Sequence, residues 1–366
     1  MTGKIATLLR RLTADSDRST HGSRKNHTMR LPLRRRHGLL LKAMSVYVSF
    51  NMFFLPTYSF AGPPLPTGAN VVNGQVDFNA VGNAMNIQQA SQQAIVNWES
   101  FNIGAGYGVF VNQPSANAAM LSRVVGGDPT QILGMLQANG IFYLVNPNGV
   151  YFGEGAVVDV ARLIASTLGI SDSDFLAGKL HFEGDSQAGV INAGSINAAA
   201  VALIAKNVEN RGTINAPNVA MAAGSIVDFG YLANGKLTVD ISGYLGNVKN
   251  DGVINAADIA GSQVNMSGFQ VDQNGTIIAT GTAGQGGAVN LAAQGGGVRN
   301  VGTIDARGAT GGQVSMTGFQ VDQDGNITAV GTQGQGGQVN LAAQGDAVVR
   351  GTVDASGATT GGVVSI

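Results

Sequence analysis

The chain has 366 residues, 54 of them Gly, no Cys and only 12% charged residues, for a net charge of −1. Residues 1–42 hold 11 of the 21 Lys and Arg but only two acids, Asp15 and Asp17, so the rest carries 10 bases against 20 acids. Such a body repels phosphate backbones, which excludes nucleic acid as a partner, and 44% apolar content points to a packed core rather than a disordered Gly-rich chain.

The basic segment reads as an export leader. "RLPLRRRHGLLLK" precedes an apolar run of 13 residues, Ala43 to Leu55, and "PTYSFAG" supplies small residues for cleavage after Ala61. That run rises only about 20 Å as a helix, too short to span a bilayer. Residues 1–61 are thus predicted to be leader and signal peptide, with Met29 an alternative start to Met1, and the general export machinery is the first partner. An exported chain without Cys draws its stability from repeated burial instead of disulfides.

From Ala69 to Ile170 short apolar runs alternate with Gly, Asn and Pro, the pattern of strands and turns. "DPTQILGMLQANG" (128–140) is predicted to form a helical turn or two, with Asp128 as N-cap and Gly140 as stop. "DVARLIASTLGI" and "DSDFLAGKL" fit either strand or short helix.

From about Val190 the chain is openly repetitive. "NAGSINA" (192–198), "NRGTINA" (210–216), "NDGVINA" (250–256) and "NVGTIDA" (300–306) are one unit, echoed by "VRGTVDA" (349–355). A copy of about 50 residues also recurs: "QVNMSGFQVDQNGTI" (263–277) returns as "QVSMTGFQVDQDGNI" (313–327). Apolar positions alternate with polar ones, as in Leu237, Val239 and Ile241 or Val289, Leu291 and Ala293, so one strand face is buried. Eighteen residues at about 3.3 Å each make a circuit of roughly 60 Å, enough for three short strands and their corners. The predicted fold is all-β, a right-handed parallel β-helix with an N-terminal cap and short extra-helical strands. A propeller or a stack of sandwiches is the alternative. Gly is expected at corners with positive φ, and the leading Asn of each unit in a coil-to-coil ladder.

The chemistry is sparse. Three of four His (His21, His27, His37) lie in the leader, which leaves His181, so neither a His/Cys metal site nor a Cys–His dyad can be assembled. "NVKNDGVINAAD" (247–258) resembles a calcium loop but puts Lys249 at a ligand position; it and "DQDG" (Asp322, Asp324) also make good turns. Asp272, Asp322, Asp305 and Asp354 recur, whereas a catalytic acid pair is normally placed once. Trp98 is a core or cap aromatic before it is a sugar platform. No catalytic, metal or cofactor residue is assigned.

One block is more specific. Between Ile95 and Thr167 the order "W-x-S-F-N-I-G", "Q-P-S", "R-V-x-G", "A-N-G", "N-P-N-G" and "L-I-A-S-T" resembles the haemagglutination-activity, or two-partner secretion, domain of filamentous-haemagglutinin-type exoproteins. The resemblance implies passage through the periplasm of a Gram-negative bacterium and release to the cell surface or medium. The partner it implies is an Omp85-like outer-membrane transporter with periplasmic docking domains and a β-barrel. It also implies that Asn146, Pro147, Asn148 and Gly149 belong to the segment needed for secretion. The expected organisation is leader (1–61), secretion domain core (62–190) and β-helical repeats (191–366). The expected function is that of a non-enzymatic adhesin meeting host-cell or surface receptors; a haemolysin or toxin with an effector beyond residue 366, or a secreted carbohydrate-active β-helix enzyme, are the alternatives.

Overall fold

The computed structural model describes residues 64–366 apart from 232–236, 244–245, 259–260 and 282; the leader and cleavage site assigned to residues 1–61 lie outside the described residues. From Pro64 onward the chain winds into a parallel β-helix. Each later coil contributes three strands, for example Gly189–Asn192, Ser195–Asn197 and Ala200–Ala205. Every one pairs in parallel register with its counterpart a coil away: Val190 with Val208, Ile196 with Ile214, Val201 with Val219. "VALIA" and "VAMAA" are such neighbours.

Inward-pointing residues repeat at fixed places, so stacking aligns like with like. One column runs Ile196, Ile214, Ile254, Ile277, Ile304, Ile327; another runs Val201, Val219, Val264, Val289, Val314, Val339. All twelve are buried in one continuous core. No coil closes this core alone, so stability is built by adding neighbours.

The predicted Asn ladder is present. Asn192 donates to Asn210 at 2.8 Å, Asn210 to Asn250 at 2.7 Å, and Asn250 to Gln273 at 2.7 Å; Asn300 donates to Gln323 at 2.8 Å. Gln273 and Gln323 are rungs, so the 50-residue copy is two coils, not one. Coils are also unequal, taking 18, 40 and 23 residues between successive rungs from Asn192 to Gln273.

The 40-residue coil from Asn210 to Asn250 carries an excursion. Strands Ile226–Tyr231 and Leu237–Ser242 leave the solenoid and join Leu180–Glu183 in an antiparallel three-stranded sheet. The alternation of Leu237, Val239 and Ile241 thus belongs to this sheet and not to a coil; period two marks a one-sided strand without saying what it pairs with. The sheet and the helix Asp172–Leu176 cover a second apolar cluster on the outside of the early coils, including Ile95, Leu121, Tyr143, Phe175 and Phe182.

Two further expectations are corrected. Residues 128–140 hold no helix: Thr130–Ile132 and Met135–Val145 are strands, because Leu136 and Ala138 point inward while Met135 and Gln137 face out, and strands on both sides fix that alternation. Positive φ occurs at some repeat glycines, Gly261 and Gly295, but not at the Gly of the NxGxIxA unit. Gly212, Gly252, Gly275, Gly302, Gly325 and Gly351 form a column in which a Cβ on any one would overlap the carbonyl oxygen of the glycine a coil below. They are required by backbone approach.

At the N-terminus the hairpin Val76–Val81 and Ala84–Gln89 caps the first coil, and Asn70–Asn73 lies antiparallel to Gln93–Trp98. The core beneath is aromatic: Phe78 and Phe101 each meet Trp98 edge-on at 5.3 Å. Trp98 is fully buried, a cap aromatic without access to sugar.

Candidate functional site at the NPNG corner

Strand Met135–Val145 ends where the chain must turn onto Val150–Phe152. Asn146 opens the turn. Its backbone N–H donates to Ser166 O in the following coil at 2.9 Å. Its side-chain amide donates to Asp128 O at 2.9 Å and Thr130 Oγ1 at 3.0 Å in the preceding coil. The same side chain accepts from Asn148 N at 2.9 Å, which is the Asx turn expected of Asn before Pro. Asn148 Nδ2 then donates to Gly126 O at 2.8 Å. Gly149 N–H closes the turn onto Asn146 O at 3.1 Å, with φ +120° that favours glycine.

The four residues are therefore a staple across three coils. Asn146 and Gly149 are buried and Asn148 is half-buried. Pro147 is exposed, its carbonyl accepting from Ser186 Oγ at 2.6 Å. The corner can offer a partner the Pro147 ring and a rigid contour; Asn146 acts only through that shape. Sequence reasoning named the turn but missed its clients: the Asp128 and Gly126 carbonyls, Thr130 and Ser186.

The scattered motif pieces meet here. Trp98 pairs in register with Val124, Arg123 with Val145, and Val145 with Ser166. "W-x-S-F", "R-V-x-G", "N-P-N-G" and "L-I-A-S-T" are thus the same corner of four successive coils.

The remaining candidates are structural. His181 Nδ1 lies 2.7 Å from Asp228 Oδ1 on the antiparallel sheet, and that hydrogen bond holds its pKa above the ordinary histidine value. Outward residues of one strand column alternate in charge: Glu209, Lys249, Asp272, Arg299, Asp322. Burial raises the Asp272 pKa, partly offset by Gln270; Asp324 is held low by its hydrogen bond from Arg350. Lys249 bonds Asp251 within the calcium-like loop. Asp305 pairs with Arg307, and Asp354 accepts from Ser356 N–H at 2.9 Å.

The model for the TPS secretion domain matches residues 64–306, more than half of the chain. The chain belongs to the TPS secretion domain family. The HMW1 secretion domain of Haemophilus influenzae superposes with a TM-score of 0.72 at 25% identity, covering 82% of this chain and 94% of that one. A filamentous hemagglutinin secretion domain aligns over 82% of this chain and 99% of its own at 16% identity, with a TM-score of 0.41. A heme/hemopexin-binding protein of Haemophilus influenzae is 41% identical over 121 residues, 32% of this chain. That alignment spans 13% of the relative's length. Exoproteins with a TPS domain are secreted through the outer membrane with a partner in that membrane, and the matched domain is a secretion domain rather than an enzyme.

Proposed function

We propose that this TPS domain chain is the export-directing front of a non-enzymatic, filamentous-haemagglutinin-like adhesin. Its leader (1–61) directs it to the periplasm, its core (62–190) is recognised by the docking domains of an Omp85-like transporter, and its repeats (191–366) extend the same solenoid as a shaft. Recognition rests on Asn146, Pro147, Asn148 and Gly149. The observation that carries this is the staple itself: two amides and a Pro are spent on one corner, with the Pro147 ring outermost. Folding coil on coil outside the cell would bias movement outward without nucleotide hydrolysis.

The test pairs two variants of buried amides. With the transporter verified as the route, Asn146→Ala should accumulate in the periplasm, whereas Asn210→Ala, which breaks a shaft rung, should still be released. Equal release of both removes the recognition role from the corner. The similarity to heme/hemopexin-binding proteins supports a second reading, a haem- or hemopexin-binding exoprotein; saturable binding of haemin by the full-length secreted protein would favour it over the adhesin.

A further inference from the structure

Across the early coils lies an open groove of about 660 Å³. It crosses four strands: Ala84–Gln89, Gly108–Asn112, Met135–Val145 and Val157–Ser166. Its floor is a register row, Asn86, Phe110, Gln137, Asp159, one residue from each strand. Beside it, Asn112 Nδ2 donates to Gln88 Oε1 at 2.8 Å. The secretion corner does not use these residues, and packing does not demand them: Asn86, Gln88, Asn112, Gln137 and Asp159 are all exposed.

Three features select a ligand. The first is charge: Asp159 is the one charged residue lining the groove among the described residues, so polyanions such as nucleic acid or sulfated glycan are disfavoured. The second is the amide floor, since side-chain amides donate and accept together and so match ligands whose hydroxyls do the same. The third is the Phe110 ring. A Cβ on Gly108 would come within 2.8 Å of its edge, so the ring packs back over the glycine two residues earlier, where it stays half-exposed as an apolar surface in the groove.

The spacing then chooses the polymer. Neighbouring strands lie about 4.8 Å apart, and an extended β-linked pyranose chain advances by a closely similar step per sugar. A chain laid along the solenoid axis would present successive rings to successive strands, with one ring on Phe110 and hydroxyls at the amides on either side. The row continues as an amide ladder, Asn215 donating to Asn197 at 2.8 Å and Asn255 to Asn215 at 3.3 Å, so the track can lengthen beyond the groove. An extended peptide is a poorer match, because its backbone groups seek a strand edge and this is the face of a paired sheet.

We propose that the groove binds a linear, uncharged polysaccharide of β-linked pyranoses, with Phe110 beneath one ring and Asn86, Gln88, Asn112 and Gln137 bonding its hydroxyls. This reading is independent of the secretion role.

The experiment is calorimetric titration of the full chain with cellohexaose and chitohexaose, with α-linked maltohexaose and a sulfated hexasaccharide as comparators. At least one β-linked hexamer should bind and both comparators should not. Phe110→Ala should weaken binding about tenfold and Gln137→Ala about fivefold. Gln137 is exposed, so its variant decides the matter if loss of Phe110 disturbs folding. The assignment fails if neither β-linked hexamer binds, if the sulfated sugar binds better, or if Gln137→Ala binds as the parent does.

Discussion

The first coils are built from unlike residues: Phe78, Trp98, Phe101 and Phe142 fill the interior, an extra sheet and a helix cover the outside, and the buried amide of Asn146 bonds the backbone of another coil. Beyond Val190 the interior is aliphatic, the same residue types recur in register, and buried amides bond one another. The contrast follows from position. An end coil has a neighbour on one side only, so it needs particular residues to close it, while an inner coil needs only to match the next.

The largest effect should come from the shaft's close-packed backbone. In Gly275→Ala the new methyl would overlap Gly252 O; the coils must part, at a cost of about 3 kcal/mol. Because long repeat arrays unfold piecewise, hydrogen exchange is the suitable readout. Protection should fall around residues 250–280 and persist at the N-terminal coils. Uniform loss over the whole chain would show that the two regions form one cooperative unit and would dissolve the comparison.

Next come the amides. Asn146→Ala strands Asp128 O, Thr130 and the Asn148 N–H together and should cost about 2–3 kcal/mol, whereas Asn210→Ala should cost about 1 kcal/mol. Asn210→Ala takes one donor from Asn250 Oδ1, while Asn192 keeps a second acceptor, Thr213 O, so fewer groups are stranded than at the corner. Denaturant titration of both variants compares them directly. Equal costs would mean that the corner is an ordinary rung and that its specificity lies elsewhere.

The same asymmetry governs what could be read from the sequence. The shaft was legible because stacking repeats residues: the Asn rungs, the Ile of "NxGxIxA" and the 18-residue offset all pointed to one fold. Its unequal coils were not, since Gln273 and Gln323 stand in for Asn and the excursion to Ser242 looks like any alternating strand. The N-terminal coils repeat nothing, so Asp128 to Gly140 mimicked a helix start and stop while Asp128 O and Thr130 served Asn146. The Asn146–Gly149 turn was legible as a turn; that Asn146 is buried, and so cannot touch a partner, depends on contacts 16 and 18 residues away that local pattern does not carry.

The smallest effect belongs to the antiparallel sheet, which tests whether the outer cover is separable from the coils beneath. His181 faces Asp228 across the sheet, Asp228 faces Asp240, and Glu183 and Asp174 stand close by. Protonated His181 offsets the like charges of Asp228 and Asp240, and the Asp228 hydrogen bond raises its pKa in the folded chain. A raised folded pKa means that this stabilisation is complete below the ordinary histidine value, about 6.5, and is lost as pH rises through the folded one. The group is 40% exposed, so the effect should stay under about 1 kcal/mol. Hydrogen exchange at about pH 5.5 and pH 8.5 should therefore show the sheet opening more often at the higher pH with the coils unchanged, and His181→Gln should abolish the difference. A matching pH response in strands Val157–Ser166 and Ala200–Ala205 would tie cover to core, and the early coils would then owe their distinct behaviour to the sheet as much as to their aromatic interior.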